Sequence, residues 1–300
     1  MPQRIIPNLW FNHTAREAVD HYLEIFPDSS EVSVSHYPTE GLLDFQQDLA
    51  GDVLKIQFRI GDLTFSAINA GGEFRPNSSI SFLLNFDPSR DPDARGHLDQ
   101  LWERLTADGL VGMELSSYPF SSHYGWVEDR YGVNWQLMLT NPDGDPRPFV
   151  TPELMFPHAQ TQATEAIELY TGLFENSGTG VIARYSELGE LPSEETSPQA
   201  LAYADFTLAG QWFAAMDSAV PQDVTFNEGV SLVALCPDQA EIDRLWAVLS
   251  TVPEAEQCGW CKDQFGVSWQ IVPQDMPDFS QPEAFGRLLG MKKLVIADLS

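Results

Sequence analysis

The stretch Tyr124-Gly125-Trp126-Val127-Glu128-Asp129-Arg130-Tyr131-Gly132-Val133-Asn134-Trp135-Gln136 returns as Cys258-Gly259-Trp260-Cys261-Lys262-Asp263-Gln264-Phe265-Gly266-Val267-Ser268-Trp269-Gln270. Gly-Trp, Asp, Gly-Val and Trp-Gln keep the same spacing in both copies. A short strand, turn, strand unit thus recurs where each half ends, which marks a tandem duplication. The repeat reaches upstream. Leu101-Trp102 and Leu245-Trp246 precede the two copies in helical stretches, and the longer intervening segment of the first copy is expected to be exposed. Residues 58–69 match residues 206–217, each reading as two strands around a tight turn. Pro7-Asn8-Leu9-Trp10-Phe11 matches Pro152-Glu153-Leu154-Met155-Phe156. Apolar residues at helical spacing follow each: Ala15, Ala18, Val19, Tyr22 and Phe26, then Ala163, Ile167, Tyr170 and Phe174.

Each half divides again. Strand 79–87 and helix 94–106 lead to strands ending at 139, and strand 230–236 and helix 239–250 lead to the closing strands of the second half. The pattern predicts an α+β fold of four βαβββ modules, forming two domains with curled mixed sheets, helices outside and a concave space for function. The expected domains are 1–140 and 151–273, with a tail at 274–300. The linker is 141–150, where Asn141-Pro-Asp-Gly-Asp-Pro-Arg-Pro148 is too rich in Pro, Gly and Asp for helix or central strand.

Hydrophobic residues make up 43% of the 300 and aromatic residues 11%, enough for two cores. Acidic residues number 44 against 16 basic ones, a formal net charge of −28. Nucleic acid is not an expected partner, because phosphate contacts need clustered Lys and Arg. The acidity reads either as a well-solvated surface or as adaptation to high salt. No apolar stretch approaches the ~20 residues that span a bilayer, and the N-terminus lacks a basic start and apolar run. A soluble, cytoplasmic protein without membrane contact is expected. Cys258-Gly-Trp-Cys261 has a C-x-x-C form, but it falls in a strand-like segment rather than at a helix N-terminus. The other copy has Tyr124 and Val127 there, so the fold does not require sulfur. A zinc site would need a second ligand pair.

Phe11-Asn12 with Ala15-Arg16-Glu17-Ala18-Val19 and Tyr22, Ile25, Phe26 and Pro27 carries a family resemblance, as do the run from Cys258-Gly-Trp to Pro273 and the closing Met291-Lys-Lys-Leu-Val-Ile-Ala297. The chain resembles the PhnB-like branch of the vicinal oxygen chelate superfamily, once per half and over nearly its whole length. That superfamily also holds glyoxalase I, extradiol dioxygenases and bleomycin-resistance proteins, and members of the branch carry the label 3-demethylubiquinone 3-methyltransferase. No Gly-rich strand-to-helix turn of the kind that binds S-adenosylmethionine is visible.

The resemblance implies where a metal would sit. In metal-dependent relatives each module gives a His or Glu from its first strand and a Glu from its last, leaving positions open for two substrate oxygens. The last-strand carboxylate falls four residues after a Gly; here Gly132 and Gly266 place Gln136 and Gln270 at that point. The first strands offer Pro7 or Asn8 and Pro152 or Glu153, with no His. No metal and no cofactor are therefore expected. What remains is an amide-rich lining. Strand alternation puts Asn134, Gln136 and Met138 on one face and Ser268, Gln270 and Val272 on the corresponding one. Ligand-binding candidates are Asn8, Asn69, Asn134, Gln136, Glu153, Asp217, Ser268 and Gln270, each with an alternative structural role. Glu153 and Asp217 also leave a weak metal site open. His13 and His158, two residues after Phe11 and Phe156, are the candidate acid–base pair or else loop residues. Trp10, Trp126, Trp212 and Trp260 are core residues or ligand platforms. The leading expectation is a small-organic-molecule-binding protein without metal. The alternatives are a metal-dependent lyase, isomerase or dioxygenase with relocated ligands, and a scaffold half that serves a homodimer.

Overall fold

The computed structural model of the chain describes residues 3–299. Its first module runs β1 (Ile5–Asn12), α1 (Ala15–Ile25), β2 (Ser29–His36), β3 (Val53–Ile60) and β4 (Leu63–Ala70). The second runs β5 (Ile80–Phe86), α2 (Ala94–Thr106), β6 (Leu110–Tyr118), β7 (Ser121–Glu128) and β8 (Asn134–Leu139). The third repeats this with β9 (Val150–Phe156), α3 (Gln162–Leu173), β10 (Gly178–Arg184), β11 (Leu201–Leu208) and β12 (Gln211–Asp217). The fourth is shorter: β13 (Val230–Cys236), α4 (Gln239–Leu249), β14 (Trp260–Lys262) and β15 (Ser268–Pro273). Three modules are βαβββ as expected. The fourth lacks a counterpart of β6, so one sheet has eight strands and the other seven.

The repeated motif explains itself at one carboxylate. Asp129 Oδ1 accepts the backbone N–H groups of Tyr131 and Val133, and Oδ2 accepts the Trp135 indole N–H at 2.8 Å. Asp263 does the same with Phe265, Val267 and Trp269. Gly132 at φ 90° and Gly266 at φ 86° supply the left-handed residue that closes each turn. Asp, Gly and Trp recur at fixed spacing because they build the turn and pin a core indole beneath it. The other recurring core pair is a stacked Phe couple facing the helix, Phe58–Phe65 in the first module and Phe206–Phe213 in the third.

Module pairing departs from the expected domains. The seven-stranded sheet runs β14-β15-β13-β1-β4-β3-β2 and the eight-stranded sheet β10-β11-β12-β9-β5-β8-β7-β6. The first module shares a sheet with the fourth through antiparallel β1 and β13, and the second with the third through β5 and β9. Residues 76–226 form one compact unit, and residues 28–75 with 227 onward belong to the other. The breaks at 141–150 separate sequence repeats, whereas each sheet takes one module from either side of that linker. First strands of consecutive repeats cannot pair within 1–140, because each of those edges is taken by a strand from the other half.

The segment that is longer in the first copy is β6, largely exposed as expected, but it is a strand paired with β7 rather than a loop. In the fourth module the tail fills part of the vacancy. Cys258 N–H donates to Met291 O and Gly259 N–H to Lys292 O. Helix α5 (Pro282–Leu289) places Phe285 against Tyr37, Leu42 and Leu49 of the first module. Leu294 and Leu299 pack on Val272, with Val233 and Leu235 alongside. Among the described residues no helix is long and apolar enough to cross a membrane.

Candidate functional site

Alternation along the central strands sends one set of side chains to the helices and the other to the opposite face. On that face of the eight-stranded sheet, direct register partners form a buried row: Asn134, Ser81, Glu153, then Ala214 and Asp205. On the seven-stranded sheet the row is Ser231, Asn8, Ser66 and Gln57, extended by Ser268 one residue before the Leu232–Trp269 pair. Polar residues in line across central strands are unusual, since a sheet interior ordinarily carries apolar ones.

In the eight-stranded unit the row is knitted into one network. Gln136 Nε2 donates to Glu153 Oε2 at 2.6 Å and to Ser81 Oγ at 2.8 Å, while Gln136 Oε1 accepts from the Tyr124 hydroxyl at 2.5 Å. Asn134 Oδ1 accepts from the Trp126 indole. Glu153 is 2% exposed. Burial pushes its carboxyl up to about 7, opposed by the Gln136 hydrogen bond. Tyr124 and Tyr203, both near this carboxylate, are raised by burial first and by Glu153 second. Arg147 from the linker bonds Asp205 at 2.8 Å and lies 4.1 Å over the Trp212 ring, closing that end of the row.

The Ser231–Asn8–Ser66 row of the seven-stranded sheet is uncharged and incompletely satisfied. Ser231 Oγ accepts from Asn8 Nδ2 and from Gln270 Nε2. Asn8 Oδ1, Ser66 Oγ and Ser268 Oγ are buried without a hydrogen-bond partner. Beside them stand the half-buried rings of Trp10, Phe74 and Trp260, with centroids 5.1 Å and 5.9 Å from Trp10.

The candidates thus divide. Asn134, Gln136 and Glu153 meet on one floor, and Asn8, Ser268 and Gln270 on the other. Asn69 and Asp217 point to the helices instead: Asn69 Oδ1 accepts Ala15 N–H, and Asp217 accepts Ala163 N–H and Leu201 N–H. Each tethers the start of a helix, the favoured place for such acceptors. This geometry separates Asp217 from Glu153, which faces the opposite side of its sheet. Burial lifts the Asp217 carboxyl to about 6. His13 is exposed at φ 61°. His158 is exposed on a cavity of about 510 Å³ lined also by Gln160, Glu195 and Thr196, at the ends of β9 and β12. Ser81, Tyr124, Ser66 and Ser231 are additional site residues. Carrying the internal repeat onto the middle strands, Ser81-Phe82-Leu83 against Ser231-Leu232-Val233, is the signal that finds two of them. The C-x-x-C pair lacks the lowered thiol pKa of a redox motif: Cys258 lies outside the strand at φ 54°, and burial raises its thiol and pushes that of Cys261 to about 12.

The donor set does not fit a divalent cation. With the modules paired as they are, the first-strand and last-strand positions that converge are Ser81, Gln136, Glu153 and Met216 on one sheet and Asn8, Ile68, Ser231 and Gln270 on the other. The first set holds one carboxyl and an amide whose oxygen is already engaged, and the second holds no charge. Among the described residues no three His, Cys, Asp or Glu side chains converge.

The sequence profile of the 3-demethylubiquinone-9 3-methyltransferase family matches residues 3–138 and again 148–272. The PhnB protein of Bacillus cereus is 31% identical, over 46% of this chain and 100% of that one, with a TM-score of 0.40. Glyoxalase I from Zea mays is similar in fold at 10% identity, over 90% of this chain and 93% of that one, with a TM-score of 0.50. The fosfomycin resistance protein FosX of Listeria monocytogenes is 12% identical over 45% of this chain and 90% of that one, with a TM-score of 0.32. None of the curated proteins matches.

Proposed function

The chain belongs to the 3-demethylubiquinone-9 3-methyltransferase family, the PhnB-like branch of the vicinal oxygen chelate superfamily, and from that premise we propose that it binds a small organic molecule on the face of its sheets opposite the helices without a divalent ion. The observation that carries this reading is the pair of in-register polar rows, Asn134–Ser81–Glu153 and Ser231–Asn8–Ser66. Each row includes first-strand positions at which the family resemblance implies a metal ligand, and the first offers one carboxyl there while the second offers none. A row of buried hydroxyl and amide groups costs free energy unless hydrogen-bonded, and the unpartnered atoms on the seven-stranded floor are served by a ligand presenting complementary groups. The Glu153 carboxyl, its pKa lifted by burial to about 7, is a group on these floors placed to exchange a proton near neutral pH.

The test has two arms. Elemental analysis after incubation with manganese, nickel, zinc and iron, followed by dialysis, is expected to find no retained equivalent. A thermal-shift screen of small organic molecules is expected to give stabilising hits. One tightly held metal equivalent that Glu153→Gln abolishes would sink the reading.

A further inference from the structure

The chain has four lysines, at 55, 262, 292 and 293, among 44 acidic residues. Three have carboxylate partners: Lys262 with Glu228 at 3.0 Å, Lys292 with Glu256 at 3.2 Å and Lys293 with Asp243 at 2.6 Å. Lys55 has no ion pair and no side-chain hydrogen bond among the described residues, although it is half-buried and burial lowers its pKa. With so many carboxylates in the chain, Lys55 is the lysine whose ammonium no carboxylate neutralises among the described residues.

Its place in the sheet gives that cation a context. Lys55 on β3 is the register partner of Ile68 on β4, which is the register partner of Trp10 on β1. Gln57, Ser66 and Asn8 form the adjacent row on the same face. Strands about 4.8 Å apart and alternate residues about 6.6 Å apart put the Lys55 and Asn8 backbones, two strands apart, about 12 Å from one another, a gap that the Lys55 side chain and one small ring compound bridge together. Three unmet demands therefore share this face. Lys55 lacks an anion, and Asn8 Oδ1 lacks a hydrogen-bond donor with Ser66 and Ser268 hydroxyls free beside it. The half-buried rings of Trp10, Phe74 and Trp260 stand edge to face, an apolar surface that suits an aromatic partner.

Resting on the reading of a small-molecule site, we propose that the seven-stranded sheet binds a small aromatic carboxylic acid bearing a hydroxyl or N–H group. The carboxylate pairs with Lys55, the ring lies by Trp10 and Trp260, and the donor bonds Asn8 Oδ1. The eight-stranded sheet supplies an internal contrast. Tyr203 takes the place of Lys55 there, opposite Ala183 as Lys55 is opposite Ser35, and Glu153 takes the place of Asn8. A carboxylate ligand is repelled from a floor built on Glu153, so the acid selects one unit.

Three probes of one size dissect the assignment by isothermal titration into the full-length protein: 3-hydroxybenzoate, its uncharged analogue 3-hydroxybenzamide, and benzoate, which lacks the donor. The expected order places 3-hydroxybenzoate first. Lys55→Met weakens it about tenfold or more, and Lys55→Arg keeps most of the affinity. Asn8→Leu weakens both hydroxylated probes and spares benzoate. Equal affinity for the acid and the amide overturns the choice of an anionic ligand, as does an unchanged Lys55→Met or no binding by any probe. If the probes fail while the thermal-shift screen yields uncharged hits, the small-molecule reading stands and the acid class alone falls.

Discussion

Asp263 is 1% exposed and Asp129 3%, and each accepts from two backbone N–H groups and an indole. Asp263→Ala removes the acceptor of two buried donors and one part-buried donor and is expected to cost about 4 kcal/mol in urea unfolding, whereas Asp263→Asn, which turns an amide N–H toward the Trp269 indole, costs about 2 kcal/mol. A loss below about 1 kcal/mol for the alanine variant contradicts this account of the motif. The Glu153 carboxyl makes a second prediction with a sign. Its folded value of about 7 lies above its ordinary 4.5, so the folded chain holds a proton that the unfolded chain releases. Its stabilising contribution is complete below pH 4.5, declines as pH rises and is gone above about 7. Glu153→Gln is therefore expected to match the parent near pH 4.5 and exceed it by up to about 3 kcal/mol at pH 8. Asp217, raised to about 6, tilts both proteins the same way and cancels in the comparison. Parallel stability–pH curves would show that Glu153 keeps its charge. Sequence gave no access to this: Glu153 and Asp217 are both carboxylates near strand ends, and only their facing separates a buried proton carrier from a helix tether.

Helix α2 meets its sheet at a glycine. A Cβ on Gly125 of β7 would stand 2.6 Å from the Trp102 ring, so the Gly-Trp dipeptide is fixed in the first copy by close helix–strand approach. Gly125→Ala is expected to destabilise by about 2 kcal/mol, and Trp102→Leu in the same chain to recover part of that loss, a coupling that a double-mutant cycle reads directly. Additive losses would mean the two residues do not compete for space. The second copy keeps the dipeptide for a different reason. Gly259 has φ 87° and lies against Leu294 of the tail, because β14 is only three residues long and the missing outer strand is partly replaced by residues 291–292. Identical residues thus conceal unlike local structures, and the repeat alone predicts a fourth βαβββ module where the chain has a shortened one.

The pairing of modules across the linker governs the whole molecule. Each half contributes one module to each sheet, so neither half can complete a sheet by itself. The fragment 1–140 alone is expected to leave the β1 and β5 edges open and to show no folded monomer by sedimentation. Mixing it with 141–300 is expected to give a folded one-to-one complex. A folded, monomeric 1–140 fragment would mean that its two modules pair with each other. The sequence by itself determined the number and kind of modules, because apolar periodicity and the Asp-Gly-Trp turn are local signals that survive duplication. It also placed Gln136 and Gln270 four residues after Gly132 and Gly266, where the family resemblance implies a carboxylate. Tertiary structure alone decided which modules share a sheet, because the β1 and β5 edges are similar and local pattern does not choose between partners. It likewise decided which polar residues meet: Lys55 becomes a candidate only when β3, β4 and β1 bring it beside Asn8 and Trp10, far away in sequence but adjacent in the sheet.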